Sequence, residues 1–230
     1  MSFQNIATAY DLLSSPARLE KELPVLLNWL GSAKKILDLG CGLGDHISKL
    51  KEDAGLKVTG MDMDPGMVSE GRRRHPGLDL ILGDLRRPPL GEWDALLCLG
   101  NSISCLDNET NWIDVFERWK GSTRKGGKCR IQWMLPPESS EENRVVRTDG
   151  TRKVIKTLRR EGNLCYLNIE VVVDESKGQT REYQHRQTLQ CLDPSELIDA
   201  LYESGWSNIQ KLPIGVDANS NTHLLEATHV

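Results

Sequence analysis

Residues 36–46 read ILDLGCGLGDH, and no other stretch constrains the chain as tightly. Apolar residues at 36, 37 and 39 make a short buried strand. Glycines at 40, 42 and 44 then turn the backbone sharply toward a helix and leave it bare of Cβ atoms, so a ligand can come close. The spacing is GxGxG. A dinucleotide fingerprint would need a sixth-position glycine at 45, where the chain has Asp45. A pyrophosphate wants bare N–H groups and no nearby anion. Asp38, just before the glycines, suits a ligand with cationic groups instead. Three glycines between a strand and a helix also serve a tight turn with no ligand at all, so the rest of the chain must decide.

The rest of the first 135 residues alternates strands and helices. Strands are expected at 35–39, 58–61, 78–82, 93–99 and 128–135, with a turn at Gly126–Gly127. Helices are expected at 17–30, 44–53, 65–75 and 111–120. Pro24 predicts a break or kink in the first. Short apolar strands alternating with helices imply a parallel sheet covered on both faces. After Pro136–Pro137 the rhythm changes. Residues 138–143 are polar and loop-like. Strand-like runs follow at 152–160, 164–173 and 181–192, with turns at Gly162–Asn163 and Lys177–Gly178. A helix at 194–204, capped by Asp193, and strands at 207–212 and 222–228 close the chain. The expected division is a main domain of 1–135 and 193–230, with 136–192 as an antiparallel insertion.

Two acidic strand tips extend the glycine-loop argument. Asp62 ends the second strand about 20 residues beyond the loop, where a carboxylate can accept both hydroxyls of a ribose. Gly83-Asp84-Leu85 ends the third strand. There Asp84 can accept from an adenine amine while the backbone N–H of Leu85 donates. Met63 and Met67 offer apolar contact to the ring. A lone Asp at a strand end is more often a turn former, and Asp64, before Pro65, reads as a helix cap. Met67 alone would read as core. The ordered set on one sheet edge is what points to an adenosyl site.

On these residues the chain resembles the class I S-adenosylmethionine (SAM)-dependent methyltransferases over about residues 10–135, and the last helix and strands suit that fold too. The resemblance implies a Rossmann-like seven-stranded, mostly parallel sheet with its last strand antiparallel. It assigns Asp38, Gly40, Cys41, Gly42, Gly44, Asp62, Met63, Met67, Asp84 and Leu85 to the cofactor. Residues 93–103, WDALLCLGNSI, resemble the glycine and sarcosine N-methyltransferases and related small-molecule enzymes. That likeness places Asn101 beside methyl donor and substrate, lets Leu99 and Gly100 line the sulfonium region, and makes the insertion a cap over the substrate. The arginine that clamps the substrate carboxylate in glycine methyltransferases is missing from the stretch Gln132–Pro137, which argues against glycine itself. The NPPY-type signature of DNA methylases is absent.

Other candidates carry two readings each. Tyr10, in a lid-like AYDLL stretch, faces the substrate or packs the lid. Arg18 pairs with the cofactor's carboxylate or lies on a solvated helix face. Arg181, Tyr183, His185 and Gln187 alternate and share one strand face. If it looks inward, Tyr183 and His185 touch substrate and His185 is a base near neutral pH; otherwise the stripe is solvated, the reading favoured for Arg181 and Gln187. Seven basic residues between Arg144 and Arg160 face an anionic partner or solvent.

Composition narrows the field. A net charge of −4 gives no global footprint for nucleic acid. No apolar run approaches the roughly 20 residues of a membrane helix, and no signal peptide is visible at the N-terminus. Six scattered cysteines lack zinc-ligand spacing, so neither disulfides nor a metal are expected, and the setting reads as reducing and cytoplasmic. The leading expectation is a SAM-dependent enzyme that methylates a small molecule, with an amine or amino-acid-like acceptor preferred. O-methylation, RNA methylation and a non-catalytic SAM-binding module are its rivals. Oligomeric state is not readable.

Overall fold

The computed structural model describes residues 6–10, 12–13, 16–136, 142–175, 179–212 and 222–230, with side chains described throughout except at 8, 16–18, 53, 175 and 179. It contains two sheets. The first holds β1 (Lys35–Leu39), β2 (Lys57–Asp62), β3 (Asp79–Leu82), β4 (Trp93–Cys98), β5 (Thr123–Met134), β10 (Ser207–Leu212) and β11 (Thr222–Thr228). Their order across the sheet is β10-β11-β5-β4-β1-β2-β3. β1 to β5 pair in parallel, and β11 runs antiparallel to both β5 and β10. This is the Rossmann-like, mostly parallel sheet with one reversed strand that the sequence led us to expect.

Helices cover both faces because alternate strand residues are apolar on both sides. Ile36, Val58, Leu80 and Leu97 pack against Leu26 and Leu30 of α2 (Pro16–Leu30), Ile47 and Leu50 of α3 (Asp45–Ala54) and Val68 of α4 (Pro65–Arg74). On the other face Leu37, Leu39, Leu96 and Ile131 meet α5 (Trp112–Ser122) and α6 (Pro194–Glu203) through Phe116, Trp119, Leu197 and Leu201. The buried tryptophans satisfy their N–H groups: Trp119 Nε1 donates to Leu85 O at 2.7 Å and Trp206 Nε1 to Phe116 O at 2.9 Å. Caps set the helix starts. Asp64, Asn111 and Asp193 each accept backbone N–H bonds at α4, α5 and α6.

The second sheet is an antiparallel meander of β6 (Asn143–Thr148), β7 (Arg152–Glu161), β8 (Leu164–Glu175) and β9 (Gln179–Gln190), in that order. Its inner face carries Val154, Leu158, Leu167, Ile169, Val171 and Leu189, which pack with Ile6 and Ala9 around the short helix α1 (Ala7–Tyr10).

Several expectations change. α2 runs through Pro24 without interruption. Pro24 is exposed, so the carbonyl that loses its partner faces water rather than core. β5 begins at Thr123, earlier than expected, and Gly126–Gly127 lie inside it, where the register against β4 shifts. The meander has a fourth strand: β6 starts at Asn143, within the stretch read as a loop. The turn expected at Lys177–Gly178 lies outside the described residues. Cys165 and Cys191, read as scattered, bring their sulfurs to 2.8 Å as free thiols.

Candidate active site

The C-terminal ends of β1, β2 and β4 open onto a cavity of about 830 Å3, which the inner face of the second sheet closes from the other side. A crevice at the carboxyl ends of parallel strands is where such sheets hold ligands.

The glycine loop forms its floor. Gly40 and Gly42 have φ of 78° and 56°, the left-handed region that side chains rarely adopt. A Cβ on Gly40 would lie 2.4 Å from Ser102 Oγ, which donates to Gly40 O at 2.9 Å. The loop is thus locked from two sides. The N–H groups of Gly40 and Cys41 donate to Met61 O at 2.7 and 3.0 Å. Gly42 N–H donates to Asp62 Oδ2 at 2.8 Å, and Asp62 Oδ1 accepts from Asp64 N–H at 2.9 Å. Asp62 therefore holds the loop and its own turn at once. Burial raises its pKa against the pull of these bonds. Gly44, with φ 84°, starts α3 and is not part of the lining.

Asp38 lies on β1 directly beneath the loop, 2 % exposed, and its Oδ1 has no hydrogen-bond partner. Burial lifts its pKa to about 6, with His46 opposing and Asp62 adding. An orphaned, buried carboxylate oxygen on a cavity-lining residue asks for a donor or a cation. That need fits the ammonium and sulfonium of a SAM-type ligand.

Met63 lines the cavity and is 61 % exposed, an uncovered apolar surface beside Asp62, while Met67 lines it from within the core. Gly83 and Leu85 line it as well, whereas the Asp84 carboxylate is outside the lining. Arg86 holds Asp84 through Nη2 at 2.7 Å and Nε at 2.9 Å. Burial raises the Asp84 pKa, but these bonds outweigh it and the net shift is downward.

The β4 tip supplies Leu99, Gly100 and Asn101 to the lining. Two crossing bonds tie it to β5: Gly100 N–H donates to Gln132 Oε1 at 3.1 Å, and Met134 N–H to Asn101 Oδ1 at 2.7 Å. The side-chain oxygen of Asn101 thereby accepts a bond from β5 while the residue lines the cavity. Tyr10 lines the cavity and packs with Leu43 and Met67 on one side and with the apolar layer of the second sheet on the other. The Arg18 side chain lies outside the described residues.

The second sheet contributes Lys156, Leu167, Gln187 and Leu189. Arg181 is exposed, as favoured; Gln187, favoured for solvent, is instead part of the lining. Tyr183 and His185 share that inner face but sit outside the cavity lining. Tyr183 packs in the apolar layer around α1, and His185 is 4 % exposed with Nε2 3.5 Å from Gln187 Oε1. The basic run divides between the two faces of β6 and β7: Lys156 turns inward, Arg159 meets Glu161, and Arg152 meets Asp149. Cys105 also lines the cavity, and burial pushes its thiol up to about 11, so it is no nucleophile at neutral pH. Gln132, His46 and Cys105 are lining residues to which the sequence reading gave no role, and Lys156 figured there only as one of the basic run. Gln132 had a signal, a polar residue inside the apolar run IQWML.

Residues 36–127 match the model of a methyltransferase-domain family. The chain has the class I SAM-dependent methyltransferase fold. It aligns over its whole length with SAM-bound CalS10, an amino pentose methyltransferase from Micromonospora echinaspora, covering 98% of that chain with a TM-score of 0.77 and 21% identity. Malonyl-[acyl-carrier protein] O-methyltransferase of Serratia marcescens is 30% identical over 131 residues, 55% of this chain and 48% of that one. dTDP-3-amino-3,6-dideoxy-alpha-D-glucopyranose N,N-dimethyltransferase of Streptomyces fradiae is 28% identical over 165 residues, 68% of this chain and 64% of that one. The chain spans 48% and 64% of the lengths of these two curated relatives.

Proposed function

We propose that this chain is a SAM-dependent methyltransferase that N-methylates a small amine-bearing molecule. The observation that carries the reading is the orphaned Asp38 oxygen beneath a glycine loop held by Asp62, inside a cavity roofed by a second sheet. Bound SAM supplies a methyl group already activated by the sulfonium charge. Asp38 meets the cationic end, Asp62 accepts from the ribose, and Met63 and Leu85 flank the adenine. Residues 136–192 serve as the substrate cap. Tyr10 and the cap shut out water and align the acceptor, and positioning of this kind supplies roughly 7–11 kcal/mol of a barrier. No base is required if the amine arrives neutral. The amino-sugar N-methyltransferases among the relatives support an amine acceptor more directly than the glycine and sarcosine group does.

O-methylation of a carboxylate is the second reading, favoured by the malonyl O-methyltransferase relative. A carboxylate, like a neutral amine, needs no base. Incubation with methyl-labelled SAM and pooled amines or carboxylic acids separates the two. N-methyl products survive alkali, whereas methyl esters release volatile label. We expect alkali-stable label, and Asp62→Ala should weaken SAM binding at least about tenfold by calorimetry. Wild-type affinity in that variant would overturn the ribose assignment.

A further inference from the structure

Two thiols meet where the second sheet joins the first. Cys165 of β8 pairs with Leu189 of β9, and just past the end of β9 the Cys191 N–H donates to Asn163 O at 2.9 Å. Cys191 lies two residues beyond Leu189, so in an extended chain its side chain returns to the face that holds Cys165. The two sulfurs stand 2.8 Å apart as free thiols, in the apolar layer that the second sheet forms with α1. Both connections of the second sheet are fastened beside them. Arg160, opposite Cys165 on β7, donates from Nη1 to Pro136 O at 2.8 Å where the chain leaves the first sheet. Leu192 O, next to Cys191, accepts from Trp133 Nε1 of β5 at 3.1 Å where the chain returns.

We propose that Cys165 and Cys191 are a reversible oxidation site, at which a hydroperoxide closes a disulfide that locks the root of the second sheet. This rests on the thiol pair and not on the proposed function. A disulfide holds its sulfurs about 2 Å apart, so bridging asks for a movement of less than about 1 Å. Cys191 is the less buried of the two and meets the oxidant; Cys165 is 2 % exposed. Burial pushes the Cys165 thiol up to about 12, so it enters second, as a neutral thiol. In the first step the Cys191 sulfur attacks the peroxide. An S–O bond forms, the O–O bond breaks, and an alcohol or water leaves with the Cys191 proton. In the second the Cys165 sulfur displaces that oxygen. The S–S bond forms, the S–O bond breaks, and the departing hydroxide leaves as water with the Cys165 proton. Two thiols lose two electrons and one hydroperoxide gains them. The loop so closed carries Leu167, Gln187 and Leu189 of the cavity lining.

The whole chain is treated with hydrogen peroxide at about pH 8, quenched, unfolded and alkylated, then read by intact mass and peptide mapping. Of the six cysteines, four should label after oxidation and all six after dithiothreitol. The two protected residues should map to a linked 165–191 peptide pair. Cys165→Ala and Cys191→Ala should each leave all five remaining thiols open to label. Oxidised wild type should melt about 5–10 °C above the reduced protein, because the bridge restricts the unfolded chain, and dithiothreitol should abolish the gain. Six labelled thiols after oxidation, a bridge between another pair, or sulfinic acid at Cys191 without a bridge overturns the proposal. So does a two-thiol loss that survives in either variant, or a bridge that leaves the melt unchanged. The peptide map is made on wild type, so a variant that fails to fold does not remove the test.

Discussion

Asp38 sits fully buried with one carboxylate oxygen unpartnered, and its pKa rises from 3.8 to about 6. A raised carboxylate pKa means that the folded state holds its proton more tightly than the unfolded chain does. Below pH 4 both states are protonated and the group costs nothing. Between about pH 4 and 6 the unfolded chain ionises while the folded protein still holds its proton, so stability falls, and above 6 the full cost of the buried charge is present. The shift corresponds to roughly 2–3 kcal/mol at neutral pH. Asp38→Asn should therefore raise the melting temperature of the ligand-free protein by several degrees at pH 7.5. The gain should shrink toward zero as the pH is taken to 4. The same change removes the anion proposed for the SAM cation, so affinity should fall steeply. Thermal melts across pH with and without SAM check both halves. An unchanged ligand-free melt at pH 7.5 would mean that the carboxylate is not a stored cost.

At the scale of elements, the bonds between the β4 tip and β5 decide where Asn101 points. Gln132→Leu orphans the Gly100 N–H and should cost about 1–2 kcal/mol in urea unfolding. It should also raise the KM for SAM, because Gly100 and Leu99 line the cavity. A stability loss with an unchanged KM would make the brace structural only. Such elements differ in how far the sequence discloses them. The glycine loop, Asp62 and the Asp64 cap were legible because each is fixed by its own neighbours within a few residues or by a strand tip whose direction the parallel sheet dictates. The second sheet was not. In β9, Glu182, Gln184 and Arg186 alternate with Tyr183, His185 and Gln187, so both faces are polar and no stripe tells which turns inward. In β7 the inward Lys156 alternates with the apolar Ile155 and the small Thr157, the reverse of the usual pattern. β6 places Val145 and Val146 side by side between arginines, which breaks the period of two that marks a strand. Asp84 looked like its neighbours in the motif, but Arg86, two residues on, captured it.

For the whole molecule, the cavity lies where three packed groups meet. One face of the first sheet is covered by α2, α3 and α4, the second sheet packs with α1, and Tyr10 joins that layer to Leu43 and Met67 at the glycine loop. α1 touches both α4 and β7, so a ligand on the loop pulls on the lid and the second sheet together. Binding to the native state alone adds RT ln(1 + [L]/Kd), about 2.7 kcal/mol at a hundredfold excess over Kd. For a chain of this size that is a rise in melting temperature of about 5–10 °C. The joined packing makes a sharper demand on where the protection falls. With SAM at that excess, amide exchange should slow in residues 40–44, in α1 and in β7 alike, because local opening of the lid must release the ligand. Ile6→Ala, which hollows the layer between α1 and the second sheet, should lessen the protection in α1 and β7 while leaving the fold of the glycine loop intact. Protection confined to residues 40–44 in the wild type would mean that the lid and second sheet do not respond to the cofactor and that closure, if it occurs, belongs to the acceptor.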